Sequence, residues 1–228
     1  PDPAAGQESR RQQEHRHHGG RRLKELTSLE PRRKGLTQLY LDGEPGPKLD
    51  TEVVLLARLQ PGDILSEEEL QELVERSDAR RAQEKALYLL EHRSHSKREL
   101  TEKIARTAAS REAAQAAADH LEEIGLVDDR AFAETYAREL FQRKRYGARR
   151  VRQELSRKGI GRDIIDQVLE QYQDMDQAAG ENIALVLERR YPTWREDEKA
   201  RRRAVAALQR LGYSFEQVRA VMGGLDTE

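Results

Sequence analysis

A leucine-centred block occurs three times in this chain, and its spacing restricts the fold more than any other feature. The first copy is Ser96-Lys97-Arg98-Glu99-Leu100-Thr101-Glu102-Lys103-Ile104, the second runs from Tyr146 through Leu155 to Ile160, and the third runs from Ala204 through Leu208 to Tyr213. The central leucines lie 55 and 53 residues apart. The same register of 53 carries Gly159 onto Gly212, Ile165 onto Val218 and Leu169 onto Met222. Similarity at one fixed period marks stacked supersecondary units, none of which buries its apolar face alone. Such stacks offer long surfaces rather than deep pockets, so the expected partners are large.

Composition points the same way. Apolar and charged residues each make up 36% of the 228 positions, and the mean hydropathy is −0.92. Little core is available per residue, which disfavours a compact enzyme with a deep site and favours an array whose helices stay largely wet. Cysteine is absent, which excludes a disulfide framework, a thiol nucleophile and a Cys-based zinc site. No apolar run approaches the ~20 residues of a membrane span, and no signal-peptide pattern is visible, so the expected compartment is a reducing cytoplasm.

Five segments are expected. Residues 1–35 are rich in Arg, Gln, Gly and Pro, and read as a disordered basic tail. Residues 36–83 read as an N-terminal extension. Its alternating Leu36-Thr37-Gln38-Leu39-Tyr40-Leu41 and the turn Asp42-Gly43 predict strand and β-hairpin, and a short helix from Thr51 stops at Pro61-Gly62. Ser66 with Glu69 forms a capping box that opens an acidic helix, read as a solvated connector. Helical repeats follow at 84–127, 128–175 and 176–228. Ala113, Ala114, Ala117, Leu121 and Ile124 predict the buried stripe of one helix, with Gly125 as its left-handed stop. Asp128 is the expected N-cap of the next, and Ser96 with Glu99 and Ser214 with Gln217 are further capping boxes. The fold class is therefore mainly all-α: tandem three-helix repeats in an extended, bowed array behind a short β-hairpin and helix.

No catalytic constellation stands out, and the chain reads as a non-enzyme without cofactor, metal or small-molecule substrate. Asp128-Asp129 is better explained by helix capping than by acid–base chemistry. His15, His17 and His18 lack a rigid frame for a metal, and His92 and His95 border a polar turn. Charge is strongly segregated instead. Residues 42–78 hold 3 Lys/Arg against 11 Asp/Glu, and residues 138–158 hold 9 against 2. The candidate partner-binding residues are Arg143, Lys144, Arg145, Arg149, Arg150, Arg152, Arg157 and Lys158, arranged around a helix whose Val151 and Leu155 face inward. Arginine forks suit carboxylates and phosphates alike, so charge alone leaves protein and DNA both open. Aromatics are few and do not interleave with this block, which gives no support for stacking on single-stranded bases.

Residues Gly125-Leu126-Val127-Asp128-Asp129-Arg130-Ala131-Phe132-Ala133, Tyr136, Gly147-Ala148-Arg149-Arg150-Val151 and Glu154-Leu155-Ser156-Arg157-Lys158-Gly159-Ile160 closely resemble the RecX family of bacterial recombination regulators. Ala86-Leu87-Tyr88-Leu89-Leu90, Arg93-Ser94-His95-Ser96 and Glu99-Leu100 resemble that family's first repeat, and the resemblance spans roughly 80–222. It implies tandem three-helix repeats that bind the RecA recombinase filament along its groove. It also implies suppression of RecA's ATP hydrolysis, strand exchange and co-protease activity, and so control of recombination and the SOS response to DNA damage. Some members also bind DNA. Two alternatives stay open: a DNA-binding helical protein that competes for single strands, and an adaptor that works through the acidic 42–78 block.

Overall fold

The computed structural model describes residues 23–172 and 179–224. Among these residues the chain forms four strands and ten helices, grouped in two compact units.

The first unit holds the described residues up to Tyr88 together with Lys103–Ala118. Strands β1 (Leu23–Arg32), β2 (Leu36–Leu41), β3 (Glu44–Asp50) and β4 (Ile64–Ser66) form one antiparallel sheet in the order β3-β2-β1-β4. The β2–β3 turn has φ of 52° at Asp42 and 82° at Gly43, the paired left-handed conformation for which an Asp-Gly hairpin turn is suited. Asp50 caps α1 (Thr51–Leu56), accepting from the Glu52 amide at 3.0 Å. Helix α2 (Glu67–His92) opens on a complete capping box: Ser66 N–H donates to Glu69 Oε2 at 2.8 Å and Glu69 N–H donates to Ser66 Oγ at 3.2 Å.

Three expectations differ from the structure. Residues 23–32, read as part of a disordered tail, are β1; residues 1–22 with their histidines lie outside the described residues. The strand escapes a period-two reading because its pairing with β2 shifts between Leu26 and Ser28, so Leu26 and Leu29 meet Leu41 and Leu39 at a spacing of three. The acidic helix is no solvated connector either. Its Leu70 and Leu73 join Leu26, Leu39, Leu49 and Val53 in one core, while Ser77 Oγ accepts the buried Asp50 N–H at 2.7 Å. Arg80 adds ion pairs to Asp50 and Glu52. Helix α2 is continuous from Glu67 to His92, so the division expected between residues 83 and 84 falls inside a helix.

Helix α3 (Lys97–Ala105) buries Leu100 and Ile104, and α4 (Arg111–Glu123) buries Ala114, Ala117, Ala118 and Leu121. Ile124, expected in that stripe, is 54% exposed because the chain has already left the helix toward Gly125.

The second unit holds Leu89–Glu102 and the described residues from Asp119 onward. Helices α5 (Asp129–Gln142), α6 (Ala148–Arg157) and α7 (Arg162–Glu170) enclose Ala137, Leu140, Val151, Leu155, Ile165 and Val168. Helices α8 (Ala179–Arg190), α9 (Glu198–Arg210) and α10 (Phe215–Gly224) enclose a second core of Ile183, Leu187, Trp194, Leu208, Val218 and Met222. The register of 53 is visible in space: Leu155 and Leu208 are both fully buried, and Gly159 and Gly212 close their helices at φ of 83° and 98°. Each closure is completed by an amide reaching back five residues, from Ile160 to the Leu155 carbonyl and from Tyr213 to the Leu208 carbonyl.

Those two glycines also serve a second purpose. The N-terminus of α3 rests on Gly159, where an added Cβ would lie 2.6 Å from Arg98 Cβ, and Ser96 Oγ donates to the neighbouring Lys158 carbonyl at 2.5 Å. The N-terminus of α6 rests in the same way on Gly212, where a Cβ would lie 2.4 Å from the Arg150 nitrogen, and Gly147 N–H donates to the Leu211 carbonyl at 2.8 Å. One seam is thus used twice. Backbone meets backbone at the second seam, which only glycine permits at such a distance.

Candidate partner-binding surface

The basic surface begins where α5 stops. Asp128 caps α5, accepting from the Arg130 and Ala131 amides, and the helix ends at Gln142 with Arg143 as its cap. The chain then turns through Lys144 and Arg145, and the Tyr146 amide reaches back to the Leu140 carbonyl at 3.1 Å. Arg145 takes a left-handed φ of 55°, which costs a non-glycine residue about 1–2 kcal/mol. Its carbonyl accepts from the Tyr213 hydroxyl at 2.8 Å, so the turn is pinned to the following repeat through main chain.

The eight predicted residues do not form one continuous cationic face. Four are neutralised by acids that the sequence reading did not pair with them. Arg150 meets Glu154 at 2.6 Å and lies over the Tyr146 ring, Arg157 meets the same Glu154 at 3.2 Å, and Arg152 pairs with Asp166 on α7. Lys158 bonds Glu99 at 3.1 Å and sits over the Tyr136 ring. Burial by itself would raise the Glu99 carboxyl, but hydrogen bonds from Arg93 and Lys158 outweigh it and hold the group down at about 2. Glu99 is therefore a charged clasp between α3 and the end of α6.

The other four, Arg143, Lys144, Arg145 and Arg149, have no acidic partner among the described residues. Arg149 borders a hollow with Phe141, Arg152 and Tyr172. Arg143, Lys144 and Arg145 line a different cleft of about 210 Å³, closed on its other side by Leu185, Val186, Arg189 and Arg190 of α8 and by Leu211. Arg189 and Arg190 were missed from sequence, since they lie more than forty residues downstream of the turn they meet. The available signal was a pair of arginines in the last turn of a helix, a common partner of the helix dipole and so unremarkable by itself.

Elsewhere, Asp129 accepts the Lys97 amide at 2.8 Å, a structural role for the second carboxylate of the Asp128-Asp129 pair. His95 is buried with Nδ1 at 2.9 Å from the Arg93 carbonyl. No helix among the described residues is long and apolar enough to cross a membrane.

Known proteins share this architecture. A sequence profile for the second three-helix domain of RecX matches residues 128–169, and one for the third matches residues 180–222. Regulatory protein RecX of Geobacillus kaustophilus is 33% identical over 197 residues, covering 83% of this chain and 72% of that protein. The protein of the same name from Listeria welshimeri is 28% identical over 150 residues, 66% of this chain and 56% of its own length, so the chain matches little more than half of that relative. In fold the chain is similar to a crystal structure of regulatory protein RecX, with a TM-score of 0.63 at 24% identity over 88% of this chain and 99% of that one. It is similar also to RecX from Lactobacillus salivarius, with a TM-score of 0.57 at 20% identity over 66% of this chain and 98% of that one. The extent and identity of the Geobacillus match, together with the two domain profiles laid over α5–α7 and α8–α10, place this chain in the RecX family of regulatory proteins.

Proposed function

We propose that this chain regulates the RecA recombinase by binding its filament on DNA and lowering ATP hydrolysis, strand exchange and co-protease activity. The observation that carries the reading is family membership across 83% of the chain. The role is regulatory rather than catalytic, and its place of work is the cytoplasm, where recombination filaments assemble. Two docked three-helix cores joined by one repeated seam suit a polymeric partner, because each added repeat binds at high effective concentration once its neighbour is seated.

The contact residues proposed are the unneutralised cations, Arg143, Lys144, Arg145 and Arg149. Arg150, Arg152, Arg157 and Lys158 spend their charge on Glu154, Asp166 and Glu99, so an approaching anion would first have to break those pairs. The test is ATP hydrolysis by purified RecA on single-stranded DNA, with this protein added below one copy per RecA protomer. Hydrolysis is expected to fall. A rate unchanged at saturating protein refutes the proposal.

A further inference from the structure

We infer that the cleft between the α5–α6 turn and the end of α8 is a binding site for phosphate groups carried on a chain, whether phosphoanhydride or phosphodiester. Five cations, Arg143, Lys144, Arg145, Arg189 and Arg190, border about 210 Å³ of space, and no acid among the described residues lines it. Like charges held this close repel one another. Arg150, Arg152, Arg157 and Lys158 on the neighbouring helix are each paired with an acid, whereas the cations of this cleft have no ion pair among the described residues.

Arg145 makes the case specific. Its Nη1 is closed off from solvent and has no hydrogen-bond partner, a condition that costs about 1–3 kcal/mol or more for a charged group. The residue also sits at a φ of 55°, where glycine or asparagine would be at ease. Its structural duty, accepting from the Tyr213 hydroxyl, belongs to the carbonyl and not to the side chain. A guanidinium kept at two local costs, with no ion pair among the described residues, is matched to a ligand. Phosphate fits better than carboxylate. Its several non-bridging oxygens can take bonds from more than one fork at once, and a phosphate chain brings several charges into a small space, whereas a carboxylate seats a single fork. The apolar wall of Leu185, Val186 and Leu211 would cover the uncharged part of such a ligand.

The cleft shares Arg143, Lys144 and Arg145 with the surface proposed for the filament, so its test contains no RecA and can fail separately. Wild-type protein and the Arg145→Gly/Arg189→Gln/Arg190→Gln variant are titrated with inorganic tripolyphosphate by calorimetry, and with a labelled mixed-sequence single-stranded oligonucleotide by fluorescence anisotropy. Wild type is expected to bind at least one probe, and the variant to bind it about tenfold more weakly or worse. If the oligonucleotide is the ligand, the salt dependence flattens by about 2 in log–log slope for three lost contacts. Binding of tripolyphosphate alone assigns the cleft to a small polyphosphate, and binding of the oligonucleotide assigns it to a nucleic-acid backbone. Arg145→Gly alone should leave the urea midpoint unchanged or raised, since glycine relieves the left-handed backbone, so lost binding cannot be ascribed to unfolding. Equal affinity of wild type and variant for both probes overturns the proposal, as does oligoglutamate of matched charge competing as well as tripolyphosphate. If the variant loses phosphate binding yet still lowers RecA hydrolysis as wild type does, the cleft stands as a separate site and Arg145 is removed from the filament contacts. If wild type leaves RecA unaffected, only the RecA reading falls.

Discussion

Replacing Gly212 with alanine separates the cost of a backbone conformation from the cost of a seam, because Gly125 supplies an internal control. Both glycines hold left-handed φ, 98° at Gly212 and 76° at Gly125, and both end helices. An alanine at Gly125 meets nothing within 4 Å, so Gly125→Ala should cost only the conformational penalty, about 1–2 kcal/mol. At Gly212 the new Cβ would lie 2.4 Å from the Arg150 nitrogen and 2.5 Å from its Cβ. Neither atom is the free end of a side chain. The N-terminus of α6 must therefore retreat, stretching the 2.8 Å bond from Gly147 N–H to the Leu211 carbonyl. Overpacking of this kind adds about 1–3 kcal/mol, for a total of about 2–5 kcal/mol. Urea denaturation followed by circular dichroism measures both variants against wild type, with equal m-values required for the comparison. If Gly125→Ala and Gly212→Ala prove equally destabilising, the close approach of backbone at the second seam is not what holds the repeats together.

Other perturbations test other joints. Ser77→Ala leaves the buried Asp50 N–H without its acceptor at 2.7 Å and should cost about 1–3 kcal/mol in urea denaturation; a neutral result would mean that α2 is not anchored to the sheet through this bond. Glu99→Gln should lower the melting temperature at neutral pH. The native carboxyl is held down at about 2 against an ordinary 4.5, so its contribution is complete above about 4.5 and lost as pH falls toward 2. The gap in melting temperature between wild type and Glu99→Gln should therefore narrow over that interval, and a gap independent of pH contradicts the clasp. Arg149→Glu should leave stability within about 0.5 kcal/mol, because its side chain is exposed and has no ion pair among the described residues, while weakening filament binding in a sedimentation assay. Arg152→Glu, which sets a second acid against Asp166, should cost stability instead; the reverse pattern would remove Arg149 from the contact surface.

The parts of this fold that are local chemistry were readable in the sequence. Asp128, Ser66 with Glu69 and Ser214 with Gln217 form the caps that their spacing foretells, because a cap needs only residues three apart. The repeat register was readable for a similar reason: Leu155 and Leu208 are equivalent core positions in units that fold by the same rule. What escaped depends on partners distant in sequence. A bulge hid β1, since it moves the inward leucines from a spacing of two to three. Helix α2 looked solvated because its acids outnumber Leu70 and Leu73, yet two buried leucines suffice once a sheet lies beneath them. Trp194, 2% exposed, sits outside any helical periodicity in the loop before α9 and was missed as a core residue. The basic surface was half legible. The sequence shows which residues carry charge, but not that Asp166 and Glu99 reach over to cancel part of it, nor that Arg189 and Arg190 come round to complete a cleft with Arg145.

Equilibrium binding of the purified chain to bare RecA, to naked single-stranded DNA and to assembled RecA–DNA filaments, at one ionic strength, tests the regulatory account most directly. A family member that acts on the polymer should bind the filament more tightly than either component, and charge reversal at Arg149 should weaken that preference. Equal affinity for naked DNA and for filament, with no affinity for RecA itself, would contradict the account and leave a protein that merely competes for the strand.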